Sequence, residues 1–221
     1  MTAIKNFIKK YWHGFFFFYF FLFMPYFFFI DNYTGTLGED KINYMQCALD
    51  DLIPFCEYFV VPYILWYLYI FGGFLFLALT SRRECFRACV FIFSGMTIAL
   101  LIFTIYPNGQ NLRVNYDELG RSNIFVDWIK YVQDVDTHYA VFPNIHCINT
   151  IGMHIAIQKS NKITKYRKTI VISSFILSIL IILSTVFTKQ HSVIDIFGAF
   201  ALAIPLYFLA YRPKYSFIKE F

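Results

Sequence analysis

Between Lys168 and Lys189 the chain runs TIVISSFILSILIILSTVFT, 20 residues without a charge. A helix needs about 20 mostly apolar residues, at about 1.5 Å each, to cross the roughly 30 Å hydrocarbon core of a bilayer. In that medium every backbone N–H and C=O must be satisfied internally, and a run of this length does so as a helix. Similar runs recur along the chain. Apolar stretches broken by charge predict six spans, near 12 to 30, 58 to 79, 86 to 106, 145 to 158, 168 to 187 and 191 to 210. The fourth, around INTIGMHIAIQ, is the shortest and most polar, and its place rests partly on topology. With 221 residues, 58% of them hydrophobic and 15% charged, the chain has no room for a separate soluble domain. The expectation is an all-α, polytopic helical bundle forming one membrane domain over residues 1–221.

The first run, FFFFYFFLFMPYFFFI, follows the basic stretch KNFIKK and lacks a small-residue cleavage site before Asp31. It reads as an anchor rather than a secretory signal. Under six spans, four basic clusters fall on one side: Lys5, Lys9 and Lys10; Arg82, Arg83 and Arg87; Lys159 through Lys168; and Arg212, Lys214 and Lys219. The other side keeps Lys41, Arg113, Arg121, Lys130 and Lys189. The expected location is the plasma membrane, as a multi-pass protein. The positive-inside rule makes the first side cytoplasmic, with both termini there. It also accounts for the formal charge of +5 without a nucleic-acid partner. The five cysteines are an odd number without a CxxC pair, which indicates neither a zinc knuckle nor a disulfide framework. A bridge between Cys47 and Cys56 on the outer side stays open.

This topology brings Tyr106 to His146 and the turn Thr188 to His191 to the outer face. In TKQHSVID, His191 and Asp195 are four residues apart and share one face of a helix start. An Asp within a span costs about 2.5–3.5 kcal/mol on insertion scales, so it needs a reason. A carboxylate on one ring nitrogen fixes the tautomer and frees the other nitrogen as nucleophile or base. The alternative is a polar staple between helices. AVFPNIHCINT adds His146 at the outer end of the fourth span, and IYPNGQNLRV delivers Arg113 to the same face. A guanidinium fork suits two phosphate oxygens. Lys189 is either a second phosphate ligand or an interfacial anchor.

Arg113, Lys189, His146, His191 and Asp195 together supply cations, a nucleophile, an orienting acid and a proton donor, which is what phosphoryl transfer needs. No Gly-rich phosphate loop or carboxylate cluster for Mg²⁺ accompanies them, so metal-independent chemistry without a cofactor is expected. Asp134, Asp136 and His138 have spacings that could ligate a divalent ion with His146, but a solvated outer loop is favoured. His154 reads as an interhelical hydrogen bonder, His13 as part of the interfacial belt, and Asp50, Asp51 and Glu57 as a surface turn.

The same residues resemble the membrane branch of the type 2 phosphatidic acid phosphatase superfamily, which includes the inositol phosphorylceramide and sphingomyelin synthases. Asn111-Leu112-Arg113-Val114 looks like the end of its first block. Phe142-Pro143-Asn144-Ile145-His146 is similar to its Pro-Ser-x-His block. Ser184-Thr185 through His191 to Asp195 is similar to its Ser-Arg-x5-His-x3-Asp block. STVFTKQHSVIDIFGA and IPFCEYFVVPYILWY look closest to bacterial members that resemble inositol phosphorylceramide synthase, and the resemblance covers roughly 53–210. Thr185 stands in place of a phosphate-binding Arg, Asn144 in place of Ser and Val114 in place of Pro, and the Lys of the first block has no match. The resemblance implies a lipid or isoprenoid phosphate phosphatase acting at the outer leaflet. His191 would attack phosphorus, Asp195 hold its ring and His146 protonate the leaving alkoxide. Arg113, Lys189, Asn144, Ser184 and Thr185 would surround the phosphoryl oxygens. A phosphotransferase using a hydroxyl acceptor at the same site, a non-catalytic lipid-phosphate binder or scaffold, and a small transporter are the competing readings.

Overall fold

A computed structural model describes residues 12–215 and 218, with the backbone alone for Trp12 and His13. Lys5, Lys9, Lys10 and Lys219 and the side chain of His13 lie outside the described residues. Eight α-helices account for most of the described chain: α1 (Tyr19–Gly35), α2 (Ala48–Leu52), α3 (Val60–Thr80), α4 (Arg82–Ile105), α5 (Ile124–Val135), α6 (Ile145–Lys159), α7 (Arg167–Phe187) and α8 (Val193–Tyr211). A 3-10 turn, Trp12–Phe18, leads into α1. Two-residue strands β1 (Asn43–Tyr44) and β2 (Asn108–Gly109) pair in parallel and tie the connection after α1 to the end of α4.

Five helices are long and apolar enough to cross a membrane: those containing α1, α3, α4, α7 and α8. Their outer faces carry large exposed apolar side chains, among them Phe21, Phe71, Phe175 and Phe197. The chain is therefore built as a helical membrane bundle. α6 is shorter, 15 residues or about 22 Å. It packs against α3, α4, α7 and α8 at once and forms the centre of the bundle. Its start lies with the starts of α3 and α8. At its other end Ser160 Oγ donates to Glu84 Oε2 over 2.6 Å, at the start of α4.

Glycine permits the closest approaches. A Cβ on Gly152 of α6 would lie 2.5 Å from Phe91 Cδ1, and one on Gly95 of α4 would lie 2.5 Å from Ile148 Cγ2. Without a hydrophobic drive between helices in lipid, such small residues let backbones close enough to gain dispersion contacts. α1 packs against α4 through aromatic rings, with Tyr19 stacked on Phe93 at 4.4 Å between centroids.

Two helices lie outside the expected spans, the single-turn α2 and the longer α5. α5 starts at Asn123, whose Oδ1 accepts from the N–H groups of Phe125 and Val126. It buries Val126, Ile129 and Gln133 on one face and exposes Ile124, Trp128 and Tyr131 on another. Polar residues between these stripes break the apolar run, so a search for spans passes over it. Cys47 and Cys56 are free thiols. His154 Nδ1 meets Ser174 Oγ at 2.9 Å, joining α6 to α7 as an interhelical hydrogen bond.

Candidate functional site

The starts of α3, α6 and α8 and the ends of α4 and α7 meet at one end of the bundle, and the polar residues singled out in the sequence gather there. His191 and Asp195 form the pair their spacing predicts. Nδ1 of His191 lies 3.2 Å from Asp195 Oδ2, and Asp195 is fully buried. That oxygen also accepts from Ser192 N–H at 2.9 Å, which closes the capping box of α8 and fixes the carboxylate independently of the histidine. With the carboxylate accepting, the proton sits on Nδ1 and Nε2 keeps its lone pair. The His191 backbone is fixed as well, since Thr185 O accepts from its N–H at 2.9 Å.

His146 comes from the first turn of α6, and its ring centroid lies 5.6 Å from that of His191. It has a carboxylate of its own. Nε2 lies 3.3 Å from Asp136 Oδ2 and 3.0 Å from the Tyr63 hydroxyl. Tyr63 also donates to Asp136 Oδ2. Burial would push the Asp136 carboxyl up, but the hydrogen bond and charge of His146, the Tyr63 hydroxyl and the charge of His191 hold it at about 2. Asp136 is thus the anion of the site rather than part of a solvated loop, while Asp134 is exposed. Among the described residues, no group of three or more His, Cys, Asp or Glu side chains converges as metal ligands.

The other predicted residues frame the site. Arg113 donates to the carbonyls of Gln133 at 3.0 Å and Asp136 at 2.5 Å, so it braces the turn that carries Asp136. Burial lowers the pKa of its guanidinium, against the nearby charge of Asp136. Lys189 does not take up a phosphate-gripping position. Its Nζ donates to the carbonyls of Asp50 at 2.7 Å and Ile53 at 2.6 Å. Burial lowers its pKa, opposed by Asp50 and Asp51. Lys189 adopts φ +57°, a left-handed conformation that costs a non-glycine residue about 1–2 kcal/mol. The two Nζ bonds and the Gln110 side chain, donating to Lys189 O at 3.1 Å, hold it there.

Asn144 is the N-cap of α6, its Oδ1 accepting from Cys147 N–H at 3.0 Å while Nδ2 donates to Thr185 Oγ1 at 3.2 Å. The Ser184 and Thr185 hydroxyls donate back to their own helix. The bond from Asn144 to Thr185 joins α6 to α7, and the two hydroxyls are spent on carbonyls of α7.

Asp50, predicted to lie in a surface turn, is buried. It accepts from Ser192 Oγ at 2.6 Å and Val193 N–H at 2.8 Å, which neutralises the start of α8. Glu57 is buried too, bonded to Arg121 and Asn123. Buried side-chain polar atoms normally find partners, yet His146 Nδ1, Asp195 Oδ1, Gln190 Oε1, Arg113 Nε and Asn149 Oδ1 have none. Arg87 Nε and Tyr211 Oη, at the other end of the bundle, also lack partners. The chain matches no family model, no curated protein and no solved structure.

Proposed function

We propose that this chain is a membrane-embedded phosphatase of lipid or isoprenoid phosphates that works through a phosphohistidine on His191. The observation that carries the proposal is the pair of histidines from different helices, 5.6 Å apart between centroids, each held by its own buried or half-buried carboxylate. Environments that differentiate two titratable groups assign their roles. His191, oriented through Nδ1, offers the Nε2 lone pair to phosphorus. As a P–N bond forms, the P–O bond to the lipid breaks, and the electron pair leaves with the alkoxide oxygen. His146, with Asp136 and Tyr63 at its Nε2, gives the alkoxide its proton. In the second step the neutral His146 takes a proton from water as the water oxygen attacks phosphorus. The P–N bond breaks, releasing inorganic phosphate and free His191.

Arg113 Nε and the first turn of α6 supply positive potential for the phosphoryl oxygens. Asp50 already occupies the corresponding position at α8. α6 serves as the sixth crossing, sheltered by the helices around it. The site faces outward from the plasma membrane with both termini in the cytoplasm.

Purified protein given labelled lipid phosphate, with and without alcohol or lipid acceptors, tests the reading. Free phosphate formed by the wild type and lost in His191→Ala and His146→Ala supports it. A labelled phosphodiester that depends on acceptor identifies a transferase instead, and no product in either arm rejects both.

A further inference from the structure

α5 carries more apolar surface than the rest of the protein covers. At about 100° per residue its side chains fall into four stripes. Val126, Ile129 and Gln133 are buried, and α5 packs on α3 and the turn that leads into it. Beside them Asp127, Lys130 and Asp134 form an exposed charged strip about 60° wide. Ile124, Trp128, Tyr131 and Val135 lie across the helix from the buried stripe and are 42–70% exposed. Phe125 and Val132, half-buried, lie opposite the charged strip. A helix on a soluble domain has one apolar stripe, and the domain buries it. Here further apolar stripes stay wholly or partly outside the protein, and charge is confined to one narrow strip. That is the pattern of a helix lying in a membrane interface, with Trp and Tyr at the headgroup level.

The contacts of α5 place it against the spans. Asn123 Nδ2 donates to Glu57 Oε1 at 3.1 Å, where the α3 span begins. At the other end of α5, Asp136 accepts from Tyr63, roughly 9 Å farther along that span at about 1.5 Å per residue. The helix therefore slopes from the end of the span toward its interior. Its apolar side joins lipid-facing surface at both ends. Phe125 meets Tyr58 edge-on at 5.1 Å between centroids, and Tyr58 is exposed with Val61 at the start of α3. Val135 lines an apolar cavity between α1 and α3 that has Asp136 and His146 at one end and shares its lining with the exposed Phe28 and Phe71. The charged strip lies toward the polar loop before α5, with Lys130 Nζ 5.0 Å from the centroid of the Tyr116 ring.

We infer that α5 is an interfacial helix, embedded along one side in the leaflet at the site's end of the bundle, with lipid against Phe125, Trp128 and Tyr131 and water over Asp127, Lys130 and Asp134. The occupant is lipid rather than a second copy of the chain, because the same apolar surface continues without a break onto the spans that lipid covers. Asp136 caps the C-terminal end of α5 and is thereby held just below the headgroup level, beside the cavity. None of this depends on the phosphatase reading.

Trp12→Phe combined with Trp66→Phe leaves Trp128 as the single tryptophan of the full chain. In phosphatidylcholine vesicles its emission should be quenched more by bromines near the carbonyl end of the acyl chains than by bromines near the methyl end, as befits a side chain about 5–10 Å below the surface. Aqueous iodide should quench it little. Tyr131→Asp in the same background should lose most of the lipid quenching and gain quenching by iodide, whereas Asp134→Asn, on the charged strip, should change neither. If the double variant does not fold, the difference in emission between the wild type and Trp128→Phe gives the same reading. Quenching by iodide and by neither lipid places the helix in water and overturns the inference. Strongest quenching by bromines near the methyl end overturns it too, since the helix then lies deep in the bilayer. Quenching by no agent, with crosslinked dimers in the vesicles, shows a second copy on this face and equally overturns it, as does an unchanged pattern in a folded Tyr131→Asp.

Discussion

Replacing Asp136 with Asn removes one charge from the centre of the site and leaves its scaffold in place. The Asp136 main-chain carbonyl, which accepts from Arg113 and from Gln190 Nε2 at 3.1 Å, is untouched. The carboxylate is held at about 2 against an ordinary 3.8, a difference worth about 2 kcal/mol at 1.36 kcal/mol per pH unit. A depressed carboxylate contributes stability that is fully present above its unfolded pKa and is lost as pH falls through its folded pKa. The wild type should therefore exceed Asp136→Asn by about 2 kcal/mol at neutral pH, and the gap should shrink as pH falls from about 4 toward 2. Denaturant unfolding in mixed micelles, followed by tryptophan fluorescence at several pH values, reads this directly. A gap independent of pH, or none at neutral pH, would show that the carboxylate is not engaged by His146 and Tyr63.

Other substitutions separate scaffold from chemistry. Asp50→Ala should cost about 3 kcal/mol in the same unfolding assay, because it strips Ser192, Val193 and the Cys47 N–H of a buried acceptor. Lys189→Met should lower the melting temperature through loss of two buried hydrogen bonds while leaving KM for a lipid phosphate within about twofold, the opposite of what a phosphate ligand would give. Gly152→Ala should destabilise by about 1–3 kcal/mol, since its Cβ would lie 2.5 Å from Phe91 Cδ1, and should do so equally at every pH.

Five of the six expected spans were legible because the bilayer imposes a length and a polarity that few other structures share. Even the short fourth run begins where α6 does, at Ile145. The His191–Asp195 pair was legible for the same reason, since local helix geometry determines it. Residues whose roles depend on distant partners were not legible. Asp136 stood out in DVDTHYA only for its spacing, and what it does depends on Tyr63, 73 residues away. Tyr63 carries no signal among the apolar residues of VVPYILWY. Lys189 looked like a phosphate ligand because cations near a candidate nucleophile suggest one. Its ammonium instead meets the carbonyls of a segment more than 130 residues earlier, a contact with no counterpart in local sequence. The search for apolar runs also passes over amphipathic α5, whose last residue, Val135, lines the cavity beside Asp136.

The most direct test is chemical trapping of the intermediate. Wild-type protein mixed with labelled lipid phosphate and quenched in alkali, where a phosphohistidine survives, should carry label on the peptide containing His191. The label should accumulate in His146→Ala when the leaving alcohol is a good one, because the second step then lacks its base, and should be absent from His191→Ala. Label on another residue, or turnover that persists in His191→Ala, would contradict the assignment of His191 as the nucleophile.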